Sequence, residues 1–318
     1  MPKVLITGGA GFIGSHLAER LVKDLDEVFI LDDLSTGSKL NIEHLIGDRC
    51  HFFHDTIFNH NLLSDLIQSV DVIYHFAASV GVCYVLDHPL KSLQINVQGT
   101  ENILDIVSTF NKKVFIASSS EIYGKNEKVP LSEDDDRILG STRIFRWSYA
   151  CSKTMDEFLV AAYRRERGLK AVIGRFFNIC GPRQTGRYGM VIPRFIEQAL
   201  SEKPITVYGD GEQIRTFTYV CDAIEATVGL MNTEKAESEI FNIGSSEPVR
   251  IKELAEIVKE ITKSNSEIIY IPYEKAYEKD FEDMRCRVPD ITKIQRTIDY
   301  KPKYDLKKMI QEILKDLH

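Results

Sequence analysis

The segment that most restricts the fold is Thr7-Gly8-Gly9-Ala10-Gly11-Phe12-Ile13-Gly14, which follows an apolar strand-like run and opens a helix-like one. Glycines at these spacings permit a tight strand-to-helix turn and close backbone approach. The free N–H groups at the helix N-terminus then suit a pyrophosphate. Such a turn belongs to a sheet, and the first half of the chain supplies the matching rhythm. Apolar, β-branched runs of strand length lie at 3–7, 27–31, 51–54, 72–76, 113–117 and 170–175. Helix-length segments at 15–23, 62–69 and 92–110 separate them.

Strands without polar alternation are covered on both faces, so the expected class is α/β, a doubly wound parallel sheet of Rossmann type. After residue 175 the rhythm breaks. Residues 178–189 are rich in Gly, Pro and polar side chains, and a mixture of helix-like (191–200, 251–262, 306–317) and strand-like (205–208) pieces follows. The expected organisation is a dinucleotide-binding domain over 1–176, joined by 216–243, with a smaller, interleaved C-terminal α/β substrate domain over 177–215 and 244–318.

The second strand ends in Asp32, eighteen residues past Gly14, where a carboxylate can accept hydrogen bonds from ribose hydroxyls. Asp32 also repels a 2′-phosphate, and residues 31–40 contain no arginine, so NAD is expected over NADP. Lys39 is the residue that would upset this. Asp55, closing the third strand, is a candidate for the adenine amino group or an ordinary loop acid. Further on, Tyr149-Ala150-Cys151-Ser152-Lys153 sets a phenol and an ammonium four apart on one helix face. Lys153 would thereby lower the Tyr149 pKa and make it a base. A buried strand ending Ser118-Ser119-Ser120-Glu121 lies about thirty residues earlier.

Composition narrows the partners. Forty Lys and Arg stand against 47 Asp and Glu, a net charge of -7, which gives no generic nucleic-acid surface, so an anionic ligand needs a local basic site. The six scattered cysteines form no CxxC pair and no metal-ligand spacing, so no metal is expected and a reduced compartment fits. With no apolar run of membrane-spanning length, the expected location is the cytoplasm, away from membranes.

Taken together, GxxGxxG, Asp32, "HFAA" (75–78), "NVQGT" (96–100), "SSSEIYG", YxxxK, "RFFNICGPRQ" (175–184), "VYGDGEQIRTFTYVCD" (207–222), "FNIGSSEPV" (241–249) and "RVPDITK" (287–293) resemble the extended short-chain dehydrogenase/reductase superfamily, in its NAD-dependent nucleotide-sugar epimerase/dehydratase branch. The resemblance implies NAD bound by Gly8, Gly11, Phe12, Ile13, Gly14, Asp32, Asp55, Ala77, Asn96, Tyr149 and Lys153. It implies catalysis by Ser119, Tyr149 and Lys153, and a UDP-sugar site at Ser79, Asn178, Val191, Arg194, Arg215 and Arg287. Of these, Asn178, Arg215 and Arg287 would surround the diphosphate, where guanidinium forks suit phosphate oxygens better than a surface ion-pairing role explains them. Relatives pair through the helices at 92–110 and 147–165, implying a homodimer.

The implied chemistry is oxidation of the sugar C4 hydroxyl to a ketone, with Tyr149 taking the proton. Glu121 then decides the expectation. Members acting at C5 resemble this chain in carrying Glu there, whereas the glucose-type 4,6-dehydratases show Asp-Glu where this chain has Ser120-Glu121. We therefore expect a UDP-glucuronate decarboxylase giving a UDP-pentose, with a UDP-sugar 4-epimerase, in which Glu121 is only a hydrogen-bond partner, as the alternative. A non-catalytic sensor of NAD or sugar nucleotides would not need Ser119, Tyr149 and Lys153 together. The loop 79–84 carries no basic residue for a sugar carboxylate, and Arg187 is the nearest candidate.

Overall fold

A computed structural model describes residues 1–186, 190–276 and 282–317. Its centre is a seven-stranded, all-parallel sheet. Six strands come from the first 176 residues: β1 (Lys3–Thr7), β2 (Glu27–Asp32), β3 (Cys50–His54), β4 (Val72–His75), β5 (Lys113–Ser119) and β6 (Lys170–Phe176). The seventh, Ile240–Ile243, returns to pair with β6, giving the order Ile240–Ile243, β6, β5, β4, β1, β2, β3.

The continuous apolar character of the strands has a direct cause. Along β1, Val4 and Ile6 join one core while Leu5 joins the other. The first core is closed by α1 (Phe12–Lys23), through Leu17 and Leu21, and by the helix Val220–Met231. The second is closed by α2 (His60–Ser69) and the helix Gly99–Thr109. Side chains alternate across a pleated strand, so two buried faces require apolar residues at every position.

The segment expected as one helix over 92–110 is three pieces. A short helix Pro89–Leu93 passes into a π-turn Gln94–Gln98 before Gly99–Thr109 begins. The inserted turn carries Asn96, whose amide oxygen accepts from Ser79 N at 2.8 Å and whose Nδ2 donates to Ser152 Oγ at 3.1 Å. Tertiary hydrogen bonds thus override the simple 3.6-residue repeat.

Beyond the main sheet, Ile205–Tyr208 pairs in parallel with Ile268–Ile271. The strand Ile214–Thr216 lies between Pro248–Arg250 and Cys286–Arg287, which sets Arg287 beside Arg215. Among the described residues no helix is long and apolar enough to cross a membrane.

One buried ion pair ties the layers together. Arg175 of β6, fully buried, donates from Nε to Glu157 Oε1 (2.9 Å) and from Nη2 to Glu157 Oε2 (2.7 Å). Its Nη1 donates to the Tyr123 hydroxyl at 2.8 Å, and that hydroxyl donates to Asn242 Oδ1 at 2.7 Å. Ser118 Oγ donates to Glu157 Oε1 at 2.6 Å. Burial pushes the Glu157 carboxyl up, but the Arg175 guanidinium outweighs it and holds the carboxyl below the ordinary range. Removing one partner strands the other charge, so Glu157→Gln should cost about 3–5 kcal/mol in denaturant unfolding. Because the folded pKa is depressed, this stability is present above the unfolded glutamate pKa and is lost as pH falls through the folded one. The variant should therefore show a smaller loss of stability on acidification than the parent.

Candidate active site

The carboxyl ends of the parallel strands open into a cavity of about 980 Å³, roofed by the irregular second half. In open α/β sheets this is where ligands bind, because helix N-termini and loop residues converge there. At its floor the turn after β1 is as tight as the glycine spacing requires. Gly8 has φ +72°, and a Cβ on it would lie 2.6 Å from Ala77 N; a Cβ on Gly14 would lie 2.3 Å from Gly8 O. Phe12, Ile13 and Gly14 open α1 on the cavity wall. Asp32 is fixed by accepting from Ala10 N (2.9 Å) and Leu34 N (2.8 Å), and burial pushes its carboxyl up. Lys39 is exposed and is not among the wall residues. Asp55 does line the wall, but its oxygens are engaged locally by Thr56 N and Asn59 Nδ2, both at 2.7 Å.

The proton-transfer candidates meet at the other end. Ser119 closes β5, its Oγ accepts from Glu121 N at 3.2 Å, and it lines the same cavity wall as Tyr149. Tyr149 and Lys153 lie one turn apart on the helix Arg146–Arg167. The expected lowering of the Tyr149 pKa is not the net result. Burial pushes the phenol above its ordinary value and outweighs the pull of Lys153. Lys153 Nζ donates to Asp156 Oδ2 at 3.0 Å, both side chains are buried, and the Glu121 and Asp156 carboxylates add smaller upward pushes on the phenol. His75 Nε2 is 3.2 Å from Thr100 Oγ1, and His75 Nδ1 is 2.7 Å from Thr7 Oγ1.

Glu121 is clamped. Arg146 Nη1 is 2.6 Å from one of its oxygens and Arg287 Nη2 2.7 Å from the other. Burial pushes its carboxyl up, but the two guanidiniums dominate and hold it down at about 2. Arg287 also faces Ser120 Oγ and Asn178 Oδ1, at 3.4 and 3.5 Å. Arg215 donates to Asp283 Oδ2 at 3.0 Å. Arg194 donates to Thr206 O at 3.1 Å and stacks on Tyr208, 3.8 Å from the ring centroid.

All but one of the site residues expected from the sequence line this single cavity, Ala77, Ser79, Asn178, Val191, Arg194 and Arg215 included. The exception is Asn96, which stands behind the wall and holds Ser79. Arg187 lies outside the described residues. Sequence reasoning missed Arg146, Asp156 and Arg183, the last held by Glu19 at 2.8 Å on the wall beside α1. Spacing was the available signal for two of them, since Arg146 and Asp156 each lie three residues from Tyr149 or Lys153 on the same helix. Among the described residues no group of three His, Cys, Asp or Glu is placed to hold a metal.

Residues 5–313 match the sequence profile of the family described as GDP-mannose 4,6 dehydratase. The chain belongs to this family. It is 43% identical over 313 residues to the UDP-N-acetyl-alpha-D-glucosaminuronate decarboxylase of Bacillus cytotoxicus, covering 98% of this chain and 96% of that one. It is 35% identical to UDP-glucuronic acid decarboxylase 1 of Xenopus tropicalis, covering 94% of this chain and 68% of that protein. Among solved structures, the UDP-glucuronic acid 4-epimerase of Bacillus cereus, in complex with UDP-glucuronic acid and NAD, superposes with TM-score 0.89 at 30% identity. That match covers 99% of this chain and 100% of the epimerase.

One pH effect follows from the polar chain beneath the site. Burial, with Lys153 adding to it, lowers the His75 pKa to about 3. The folded state therefore refuses a proton that the unfolded chain takes up near pH 6.5, and stability falls as pH drops below that value. His75→Gln should flatten the dependence of unfolding free energy on pH between 6 and 4; an unchanged slope would show that His75 does not contribute to it.

Proposed function

We propose that this member of the family is an NAD-dependent decarboxylase of a UDP-linked hexuronate, UDP-glucuronate or its 2-acetamido analogue. The observation that carries the reading is Glu121, held as a carboxylate beside Ser119 and Tyr149 in a chain whose relatives include decarboxylases of both uronates. An anion kept ionised in a buried site next to a phenol has a high desolvation cost, and the site sustains it with two guanidiniums.

NAD fits the cavity floor. The Gly8–Gly14 cradle leaves no space for a Cβ and brings backbone close to a pyrophosphate, while Asp32 faces the place of the adenosine ribose. When bound there, NAD supplies the acceptor that takes the C4 hydride and later returns it. The protein's own part is proton and charge management. Tyr149, beside Ser119, acts as the phenolate that the Lys153 ammonium favours, accepts the proton of the C4 hydroxyl and becomes the phenol. In the resulting β-keto acid the bond from C5 to the carboxylate breaks, and its electron pair moves toward the C4 oxygen, where Ser119 and Tyr149 offer hydrogen bonds. Carbon dioxide leaves and C5 gains a proton from solvent water, while Tyr149 keeps the proton it took from the C4 hydroxyl. Glu121, ionised and fixed, serves as an acceptor at this end of the sugar rather than as an acid. Arg215, Arg194 and Asn178 are the groups that face the nucleotide diphosphate.

Incubation with NAD and either UDP-uronate should release carbon dioxide and yield a UDP-pentose or its 2-acetamido counterpart, read by proton NMR. Tyr149→Phe should lower kcat by about 10²- to 10⁴-fold. A UDP-uronate epimerised at C4 without gas would replace this reading by the 4-epimerase.

We also propose a homodimer. The exposed side of the helix Arg146–Arg167 carries Cys151, Met155 and Phe158, the last two 45% and 63% exposed, as one apolar stripe at helical spacing. Phe158→Glu should shift the sedimentation coefficient from dimer to monomer; a monomeric parent at micromolar concentration would refute the pairing.

A further inference from the structure

The charged groups at the sugar end of the cavity form one line of alternating sign. Arg287 Nη2 is 2.7 Å from Glu121 Oε1, and Arg146 Nη1 is 2.6 Å from Glu121 Oε2. Arg146 Nη2 lies 3.8 Å from Asp283 Oδ1, and Asp283 Oδ2 is 3.0 Å from Arg215 Nη2. Arg146 is the middle member, and it reaches both carboxylates from the first turn of the helix that carries Tyr149.

We infer that Arg146 is a positioning residue for the reaction, acting through Glu121: it fixes the plane of that carboxylate beside Ser119 and Tyr149 and links it through Asp283 to Arg215. The inference rests on the reading of Glu121 as a catalytic residue.

Three observations carry it. Each oxygen of Glu121 is taken by a different arginine, one from the helix Arg146–Arg167 and one from the strand Cys286–Arg287, so the carboxylate has no free rotation. Arg146 is only 5% exposed, and a buried guanidinium is sustained by nearby anions, which among the described residues include Glu121 and Asp283. Finally, its stem is itself held. The guanidinium carbon lies 5.5 Å from the centroid of Trp147, whose Nε1 donates to Glu282 Oε2 at 2.8 Å. A planar fork can address two carboxylates at once, which a lysine ammonium does less well.

The charges facing Glu121 are Arg146 and Tyr149 from the helix and Arg287 from its strand, with Asp283 and Arg215 behind. Removing Arg146 leaves one guanidinium to oppose burial, so the Glu121 carboxyl moves up. A rate that needs the carboxylate then gains an acidic limb, falling as pH drops through the new value.

The test pairs kinetics with a titration independent of the reaction. Arg146→Gln should lower kcat about ten-fold or more while KM for the UDP-uronate changes less than about three-fold. Arg146→Lys should recover part of the loss. Combined with Glu121→Gln, Arg146→Gln should cost nothing further, because its effect passes through the missing carboxylate. Multiplying losses in the double variant, or parental kcat in Arg146→Gln, would overturn the inference. In parallel, ¹³C NMR of the Glu121 carboxyl, assigned by its absence in Glu121→Gln, should show no titration above pH 4 in the parent and a titration above pH 4 in Arg146→Gln. An unchanged titration overturns the clamp even if the substrate proves to be something other than a uronate. A parent that releases no carbon dioxide refutes only the decarboxylase reading. Should Arg146→Gln not fold, the same titration on Arg146→Lys, with a smaller upward displacement expected, decides the matter.

Discussion

The geometry of the site depends on the bidentate pair between Arg175 and Glu157. Ser118 donates to the same carboxylate, so the end of β5 and the helix Arg146–Arg167 are fastened by one anion. Ser119, the next residue, therefore keeps a fixed distance from Tyr149 and Lys153, which lie about two turns and about one turn before Glu157 on that helix. Such a pair contributes little net stability compared with an apolar core of the same shape, since both ions lose their water. What it supplies is specificity of placement. The charges must meet in one arrangement, and that arrangement aims a hydroxyl and a phenol at the same point.

The same economy of charge runs through the cavity wall. Lys153 is matched by Asp156, Arg183 by Glu19, Arg215 by Asp283, and Arg146 and Arg287 by Glu121. With a chain of net charge -7, this explains how a local basic site exists without a basic protein. Arg194 differs: it is held by a backbone carbonyl and the face of Tyr208. Among the described residues no salt bridge to a carboxylate holds its charge, which on the proposed reading suits it to a phosphate oxygen.

The sheet was legible because its cause is local. Two-sided burial forces unbroken apolar strands, and a glycine turn between strand and helix has few other uses. Tyr149, Lys153 and Ser119 were legible because one helix turn and one strand end bring them into play. The π-turn at Gln94–Gln98 was not, since it exists to let Asn96 reach Ser79 and Ser152, partners 17 and 56 residues away. Nor was the state of Tyr149. The YxxxK spacing predicts a lowered pKa, but burial of the phenol outweighs the pull of Lys153, and Asp156, three residues past Lys153, adds a smaller upward push. Pattern reading registers which groups share a face; it does not register which of them is already satisfied.

That distinction bears on the reaction. Loss of carbon dioxide moves negative charge from the C5 carboxylate to the C4 oxygen, so a site that neutralised the carboxylate would stabilise the ground state as much as it helped binding. Here the two guanidiniums nearest Ser119 are already matched by Glu121, and the loop 79–84 brings no basic residue. On the proposed reading, binding energy then comes from the nucleotide diphosphate, at Arg194 and Arg215. The hydrogen-bond donors of Ser119 and Tyr149 lie instead at the atom where charge accumulates. On the proposed reading, a wall arranged in this way leaves the uronate carboxylate free to depart, which an epimerase, retaining that carboxylate, has no need to do.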